Sequence, residues 1–210
     1  MTAPQQGLQI VETRTTIADP TALGVFGLSL VTFVAASAKM HWTEGVGYLI
    51  PWTMFLGSIA QIWASSLDFK KNNYFGAIVL GVYGLFWMAV SMHWAISLGW
   101  FGAINPAQFD PKQIAFAFFG YGIFSLFIMV VAFETNKVFA TIVVLINVLL
   151  FSLGFAALGV AKAQFSTAAA WSELLISLLG FYACGAIFFR NFFGREILPL
   201  GAPLGLIKRS

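Results

Sequence analysis

The sequence predicts an all-α integral membrane protein with six transmembrane helices and both termini in the cytoplasm. Of its 210 residues, 60% are hydrophobic and 9% are charged, which leaves too little polar surface to cover a water-soluble globule. The apolar residues form six runs of about 20 residues, the length that crosses a hydrocarbon core of roughly 30 Å. The short breaks between the runs carry nearly all the charge.

The six spans leave little chain for a soluble domain. In order, their expected limits are Thr21–Ala38, Gly47–Leu67, Phe75–Leu98, Ile114–Phe133, Val138–Ala161 and Trp171–Phe192. We expect a polar leader over residues 1–18, the membrane domain over 19–193 and a cytoplasmic tail over 194–210. The leader has no apolar core and no small-residue cleavage site, so a cleaved signal peptide is not expected.

The distribution of basic residues predicts the orientation. An even number of spans puts both ends on one side, and that side has eight Lys and Arg residues against three at Lys39, Lys112 and Lys162. The positive-inside rule assigns the richer side to the cytoplasm. Topology thereby explains the net charge of +3, so the expected partner is the lipid bilayer of the plasma (inner) membrane and not a nucleic acid.

Polar side chains in the middle of a span are costly in lipid and usually face the bundle interior or a cavity. This sequence has Gln61, Tyr83, His93, Asn147 and Glu173. Glu173, close to the expected start of span six, and Glu134, at the end of span four, are interpreted as facing headgroups.

Helical spacing leaves two interpretations for three of these side chains. Gln61 shares a face with Gly57, Ala60 and Ala64, and this stripe either lines a path or contacts another helix. Tyr83 and Trp87 are four residues apart, which favours a pore lining or an interhelical hydrogen bond equally. The amide of Asn147 either bonds across helices or meets a solute.

Metal, cofactor and enzyme chemistry find no support in the sequence. The lone cysteine, Cys184, has no thiol partner, and His41 and His93 lack the paired spacing of a zinc helix. No Gly-x-Ser-x-Gly motif is present, and neither histidine has a serine partner at helical spacing. We therefore expect no metal, no cofactor and no catalytic residues.

The stretch Asp-Pro-Thr-Ala-Leu-Gly opens the first span. Proline suits the first turn of a helix, whose free N–H groups and dipole attract anions. We expect Asp19 to be the N-cap and to contact a substrate carboxylate only if it is protonated. Gly24 and Gly27 either bring a neighbouring helix close or leave room for a solute.

Several stretches together resemble the acetate uptake transporter family, also called succinate and acetate permeases. They are DPTALGVFG, AQIWASSLDFKKNNYFG, YGLFW, NPAQF and FGREILPLG, in order between Asp19 and Gly201. The family usually opens with Asn-Pro-Ala-Pro-Leu-Gly-Leu, so this chain departs at Asp19, Thr21, Ala22 and Val25. The Asn-Pro-Ala of NPAQF also invites comparison with water and glycerol channels, but those need two such motifs and this chain has one.

The resemblance implies a six-helix subunit, assembled as a hexamer, with a path for small monocarboxylates such as acetate through each subunit. It implies a narrow apolar constriction at Leu28, Tyr83 and Leu149, where the family has an aromatic residue at the first position. The residues expected to bind substrate are Asp19, Pro20, Thr21, Leu23, Gly24, Gln61, Trp87 and Asn147.

Three classes of function remain open at this point. The first is an anion channel or proton-coupled permease for acetate and related carboxylates, including succinate. The second is a neutral-solute pore for water, glycerol or ammonia. The third is a membrane receptor or assembly factor that transports nothing, because small-residue faces and aromatic residues serve packing as well.

Overall fold

The computed structural model describes residues 16–103 and 109–207, and every regular element within these ranges is helical. The elements are α1 Thr21–Lys39, α2 Leu49–Trp52, a π-helical segment Thr53–Ala60, α3 Gln61–Lys70, α4 Tyr74–Ser97, α5 Gln113–Phe133, α6 Lys137–Ala157 and α7 Lys162–Phe193. The predicted all-α fold is therefore confirmed. Residues 1–15 of the expected leader and the Asn-Pro-Ala motif lie outside the described residues.

Five helices, α1, α4, α5, α6 and α7, are long and apolar enough to cross a membrane. The predicted second span differs from them because it is divided into α2, the π segment and α3, which follow one another without a gap. A π-helix has a wider turn than an α-helix and occurs mostly in short stretches. Here its Leu56 carbonyl lies where a Cβ on Gly27 of α1 would stand, so the glycine makes room for the π segment.

The helices form a closed ring. α1 packs against α7, α7 against α6, and α6 against α5. On the other side, the π segment and α3 pack between α1 and α4, and contacts between α4 and α5 complete the ring. Neighbours in the ring can therefore enclose a space between them.

Small residues bring these helices together, as is usual in lipid. A Cβ on Gly24 would collide with Leu80 of α4, and a Cβ on Gly180 would collide with Ser29 of α1. On α6, Gly154 is covered by the ring of Phe119. Substitution at these glycines would push the helices apart.

Asparagine side chains cap the N-termini of two helices. Asn73 Oδ1 accepts the N–H of Gly76 at 3.4 Å at the start of α4. Asn136 Oδ1 accepts the N–H of Phe139 at 2.9 Å at the start of α6. Both asparagines satisfy backbone donors that the first helical turn leaves free.

The segment after α7 crosses the end of the bundle in an extended form. The N–H of Leu204 donates to the carbonyl of Phe133 at 2.8 Å, and Val138 N–H donates to the carbonyl of Leu200 at 3.2 Å. Glu134 Oε1 accepts the N–H groups of Leu206 at 2.6 Å and Ile207 at 3.0 Å. These bonds fasten residues 199–207 to the corner between α5 and α6.

Candidate functional site

Two cavities enter the ring from opposite ends. The first, which we call the first vestibule, has a volume of about 330 Å³ and lies where α1, α4 and α6 begin and α7 ends. Its polar lining consists of Asp19, Thr21, Lys71, Asn73, Thr135, Asn136 and Arg190. Its inner end is apolar and includes Leu28, Leu80 and Ile146.

Asp19 is held by several donors at the mouth of the first vestibule. Its Oδ1 accepts the Thr21 N–H at 3.1 Å and the Thr21 hydroxyl at 2.6 Å, and its Oδ2 accepts Asn191 Nδ2 at 3.1 Å. Lys71 Nζ lies 3.5 Å from Oδ1. Partial burial raises the pKa of this carboxyl, but these hydrogen bonds and the lysine charge outweigh it and leave the pKa below its usual value. Asp19 therefore stays ionised near neutral pH.

The N-cap of α1 differs from the sequence prediction. Pro20 occupies the N-cap position, not the first turn, and Asp19 lies one residue before it. Asp19 still bonds an early N–H because its side chain reaches forward to Thr21 in a short turn.

The second cavity, the second vestibule, has a volume of about 110 Å³ and lies toward the ends of α1 and α4. Aromatic and aliphatic side chains form most of its wall: Phe86, Trp87, Val90, Trp94, Ile114, Phe118 and Leu153. Two charged residues complete the lining. Lys39 Nζ lies 2.8 Å from Glu173 Oε2, and the glutamate side chain is only 1% exposed.

Among the described residues, none lines both vestibules, and an apolar layer separates them. On α4, Tyr83 lies between Leu80 of the first vestibule and Trp87 of the second; on α6, Leu149 lies between Ile146 and Leu153 in the same way. The seven residue steps from Leu80 to Trp87 rise about 10 Å along a helix, which sets the height of the layer. We call this layer the neck; Tyr83 and Leu149 lie in it, and Leu28, at the inner end of the first vestibule, borders it.

A polar bridge lies behind the neck. The Tyr83 hydroxyl is 2.7 Å from Ser125 Oγ on α5, and Asn147 Nδ2 of α6 donates to the Ser125 carbonyl at 3.3 Å. Asn147 Nδ2 also donates to the Val143 carbonyl at 2.9 Å. Ser125 thus connects α4 and α6 through α5.

The predicted substrate-binding residues occupy different places. Asp19 and Thr21 line the first vestibule, and Trp87 lines the second. Leu23 points out of the bundle and is 40% exposed, whereas Gly24 is covered by Leu80. Pro20 and Asn147 are buried without lining either vestibule.

Gln61 likewise lines neither vestibule. It is fully buried, its Nε2 donates to the Gly57 carbonyl at 2.7 Å, and it packs against Gly27 and Gly84. The structure therefore places it between α1 and α4, which is the helix-contact interpretation of its stripe.

The expectation that Glu173 faces headgroups is wrong. Helix α7 begins at Lys162, nine residues before the predicted start, because small and polar residues there form helix without an apolar run. Glu173 consequently lies several turns inside α7 and pairs with Lys39.

Sequence reasoning also missed Ser125, since a serine in an apolar span gives no signal of its partner.

Comparison with known proteins identifies the family of the chain. Residues 2–194 match the GPR1/FUN34/yaaH family. The chain belongs to this family. The predicted resemblance is thereby confirmed, and so is the predicted localisation, an integral protein of the plasma (inner) membrane.

Individual relatives extend over most of the chain. The succinate-acetate/proton symporter SatP of Escherichia coli strain K12 is 29% identical over 191 residues, which cover 90% of this chain and 97% of SatP. The solved structure of the bacterial acetate channel SatP superposes with a TM-score of 0.79 at 25% identity and covers 89% of this chain and 100% of that one. Ammonia transport outward protein 2 of Saccharomyces cerevisiae is 25% identical over 66% of this chain and 50% of its own length.

Proposed function

We propose that the protein carries acetate and related small carboxylates, succinate among them, across the membrane through a path in each subunit. The path runs from the first vestibule past Leu28 and through the neck at Tyr83 and Leu149 into the second vestibule. The observation that carries the proposal is the pair of cavities, each with charged or polar groups, on either side of a short apolar layer. The relatives named for acetate transport support it.

The first vestibule is suited to collecting carboxylates. Helices α1, α4 and α6 all begin there, so their free N–H groups and positive dipole ends face the cavity. Among the described lining residues, Lys71 and Arg190 are positive and Asp19 is negative. A second carboxyl, that of the fully buried Asp68, interacts with Asp19 and Lys71 from outside the lining. An anion is therefore concentrated at the mouth of the neck.

The neck selects against charge. Moving a bare carboxylate through hydrocarbon costs many kcal/mol unless donors replace its water. The Tyr83 hydroxyl is already engaged with Ser125, so the neck offers a carboxylate little polar replacement. A small solute with a methyl group fits such a layer best when its charge is neutralised.

We propose that the residues behind the wall hold the neck in shape. Gln61 and Gly24 fix α1 against α3 and α4, and Asn147 fixes α6 against α5. Direct contact with substrate falls to Thr21 at one mouth and to Trp87 at the other, while the ionised Asp19 sets the charge of the first mouth.

The same proposal includes six crossings, with the continuous helical stretch from Leu49 to Lys70 as the second. Both termini then lie on the cytoplasmic side, which is the side of the first vestibule. We propose that the subunits assemble as a hexamer and that the protein is a transporter and not an enzyme.

Uptake of labelled acetate into proteoliposomes at several imposed pH gradients tests the proposal. The unmodified protein is expected to take up acetate above the background of protein-free vesicles, and Tyr83→Ala to change that rate. Concentrative uptake that follows the pH gradient indicates proton coupling, whereas dissipation of an acetate gradient alone indicates a channel. Absence of flux in the unmodified protein would refute the function.

A neutral-solute pore is the second candidate, because one relative is named for ammonia transport and the neck is apolar. Under this alternative, ammonia or glycerol flux persists in proteoliposomes and excess acetate does not compete with it. Competition by acetate favours the carboxylate path.

A further inference from the structure

The ion pair between Lys39 and Glu173 stands at the inner wall of the second vestibule. Lys39 is the last residue of α1, and Glu173 lies well inside α7, so the pair joins two helices that pack along the ring. The lysine side chain is 25% exposed and the glutamate 1%. Both residues line the cavity, and the lysine is more open to it than the nearly covered glutamate.

The surroundings of the pair are apolar. Among the described residues that line this vestibule, Lys39 and Glu173 are the charged ones, and α4, α5 and α6 contribute aromatic and aliphatic side chains. His93 and Tyr121 are titratable groups that line an adjoining cavity, which shares Phe86 and Phe118 with the vestibule. Glu173 thus has one counter-ion, and it is the residue that a solute reaches first.

We propose that Lys39 and Glu173 form a carboxylate-exchange site that delivers the substrate to the neck as a neutral acid. A substrate carboxylate entering the second vestibule takes the place of Glu173 on the Lys39 ammonium. This inference rests on the proposed function and assigns proton coupling within it to two residues.

The exchange moves one proton with each carboxylate. Once displaced, the Glu173 carboxylate is left without a counter-ion in an apolar wall, where a charge is costly, and it takes a proton from a hydronium ion in the vestibule, which leaves a water molecule. The Glu173 O–H bond then breaks as an O–H bond forms on the substrate, and the Glu173 carboxylate returns to Lys39. The products are the free acid and the restored ion pair, so charge and protons balance.

The position of the pair suits this delivery. Trp87 and Leu153 line the same vestibule and lie one helical turn from Tyr83 and Leu149 of the neck. A carboxylic acid made neutral at Lys39 and Glu173 therefore meets the apolar layer without its charge. No chain of titratable groups through the neck is needed, since the proton crosses on the substrate.

The test compares Glu173→Gln with the unmodified protein in proteoliposomes. Acetate uptake by the unmodified protein is expected to follow the pH gradient and to ignore a membrane potential set with potassium and valinomycin. Glu173→Gln is expected to lose at least about tenfold in rate, the equivalent of 1.4 kcal/mol, and its remaining flux is expected to depend on the potential because the anion moves. Glu44→Gln, an exposed carboxylate in the loop after Lys39, is the matched control and keeps both properties.

Variants at Lys39 distinguish a carboxylate-exchange site from an ion pair that has only a structural role. Lys39→Arg keeps a cation and is expected to retain pH-driven uptake, whereas Lys39→Met raises the apparent KM for acetate. If Glu173→Gln does not fold because it leaves a lone lysine, the double variant Lys39→Met with Glu173→Gln removes both charges and is expected to show the same loss of coupling.

Infrared difference spectra give a direct readout. Carboxyl-labelled ¹³C-acetate added to the unmodified protein is expected to produce a protonated-carboxyl band that does not shift with the label and is absent in Glu173→Gln. The exchange site is overturned, and acetate transport left intact, if folded Glu173→Gln takes up acetate at the rate of the unmodified protein and this uptake does not depend on the membrane potential. Absence of acetate flux in the unmodified protein refutes the proposed function and, with it, the exchange site.

Discussion

The hydroxyl oxygen of Tyr83 on α4 lies 2.7 Å from Ser125 Oγ on α5, and both side chains are buried. The tyrosine ring forms one wall of the neck while its polar end is turned away to a neighbouring helix. Of the two interpretations that its spacing allows, a pore lining and an interhelical hydrogen bond, the Tyr83 hydroxyl therefore makes the interhelical bond.

The Tyr83–Ser125 bond predicts coupled losses of stability. Tyr83→Phe and Ser125→Ala should each lower the free energy of unfolding by about 0.5–1.5 kcal/mol, because each leaves a buried hydroxyl without its partner. The double variant should cost less than the sum of the two. Thermal unfolding of the unmodified protein, the two single variants and the double variant in detergent gives this double-mutant cycle. Strictly additive losses of unfolding free energy would show that the bond contributes nothing.

The neck predicts a change of selectivity in Leu149→Ala. Shortening this side chain widens the apolar layer, so the preference for acetate over butyrate should fall by about tenfold, within the range that one or two methylene groups control. Competition assays in proteoliposomes give the ratio. Leu150→Ala is the matched control: Leu150 is equally buried on the same helix, and its loss should reduce stability without altering the ratio.

The close approach of α1 to the π segment predicts that Gly27→Ala is poorly tolerated. The new methyl group would collide with the Leu56 carbonyl, which cannot rotate away as a side chain can. We expect a loss of about 1–3 kcal/mol, measured as a lower unfolding midpoint. Gly120→Ala serves as control because a Cβ there meets nothing within 4 Å, and equal effects of the two would contradict the packing argument.

Asp19 predicts a dependence of stability on acid. Because hydrogen bonds and Lys71 hold its pKa below the unfolded value, the carboxylate stabilises the fold above about pH 4, and this contribution is lost as the pH falls through the lowered pKa. Asp19→Asn should flatten that part of the stability profile. Unfolding midpoints measured between pH 3 and 7 provide the comparison, and unchanged acid sensitivity would remove Asp19 as its source.

The same substitution also predicts tighter apparent binding of acetate. Removing the fixed negative charge releases Lys71 at the mouth of the first vestibule, so the apparent KM should fall by roughly fivefold, or about 1 kcal/mol. Thr141→Ala, an exposed hydroxyl on the outside of α6, should leave the KM unchanged. An increase in KM with Asp19→Asn would indicate that the carboxylate itself takes part in binding.

Hydropathy was sufficient for the helices whose whole length is apolar. The predicted fourth span, Ile114–Phe133, agrees with α5 to one residue at its start. It failed at α7, whose first turns contain Lys162, Gln164 and Ser166 and are helical because they extend a packed helix, not because they are apolar. It also gave no hint of the π segment, since a wider turn changes hydrogen bonding without changing composition.

The partners of the polar residues could not be predicted for a different reason. Lys39 and Glu173 are 134 residues apart in sequence, and no periodicity connects them. Tyr83 and Asn147 are conspicuous in the sequence because large polar groups are rare in membrane spans. The residue that joins them, Ser125, is small and of a common type. Long-range pairing depends on the order of helices around the ring, which one sequence does not specify.

The segment of residues 199–207 that follows α7 completes the first vestibule only after the helices have been synthesised. Residues 199–207 leave the ribosome after the described helices α1–α7, yet Leu200 among them lines the first vestibule and is hydrogen-bonded to Val138 at the start of α6. A nascent chain therefore inserts a complete bundle before its mouth acquires its final rim. A premature stop after Phe193 would yield a protein that keeps helices α1–α7 but lacks this part of the rim of the first vestibule.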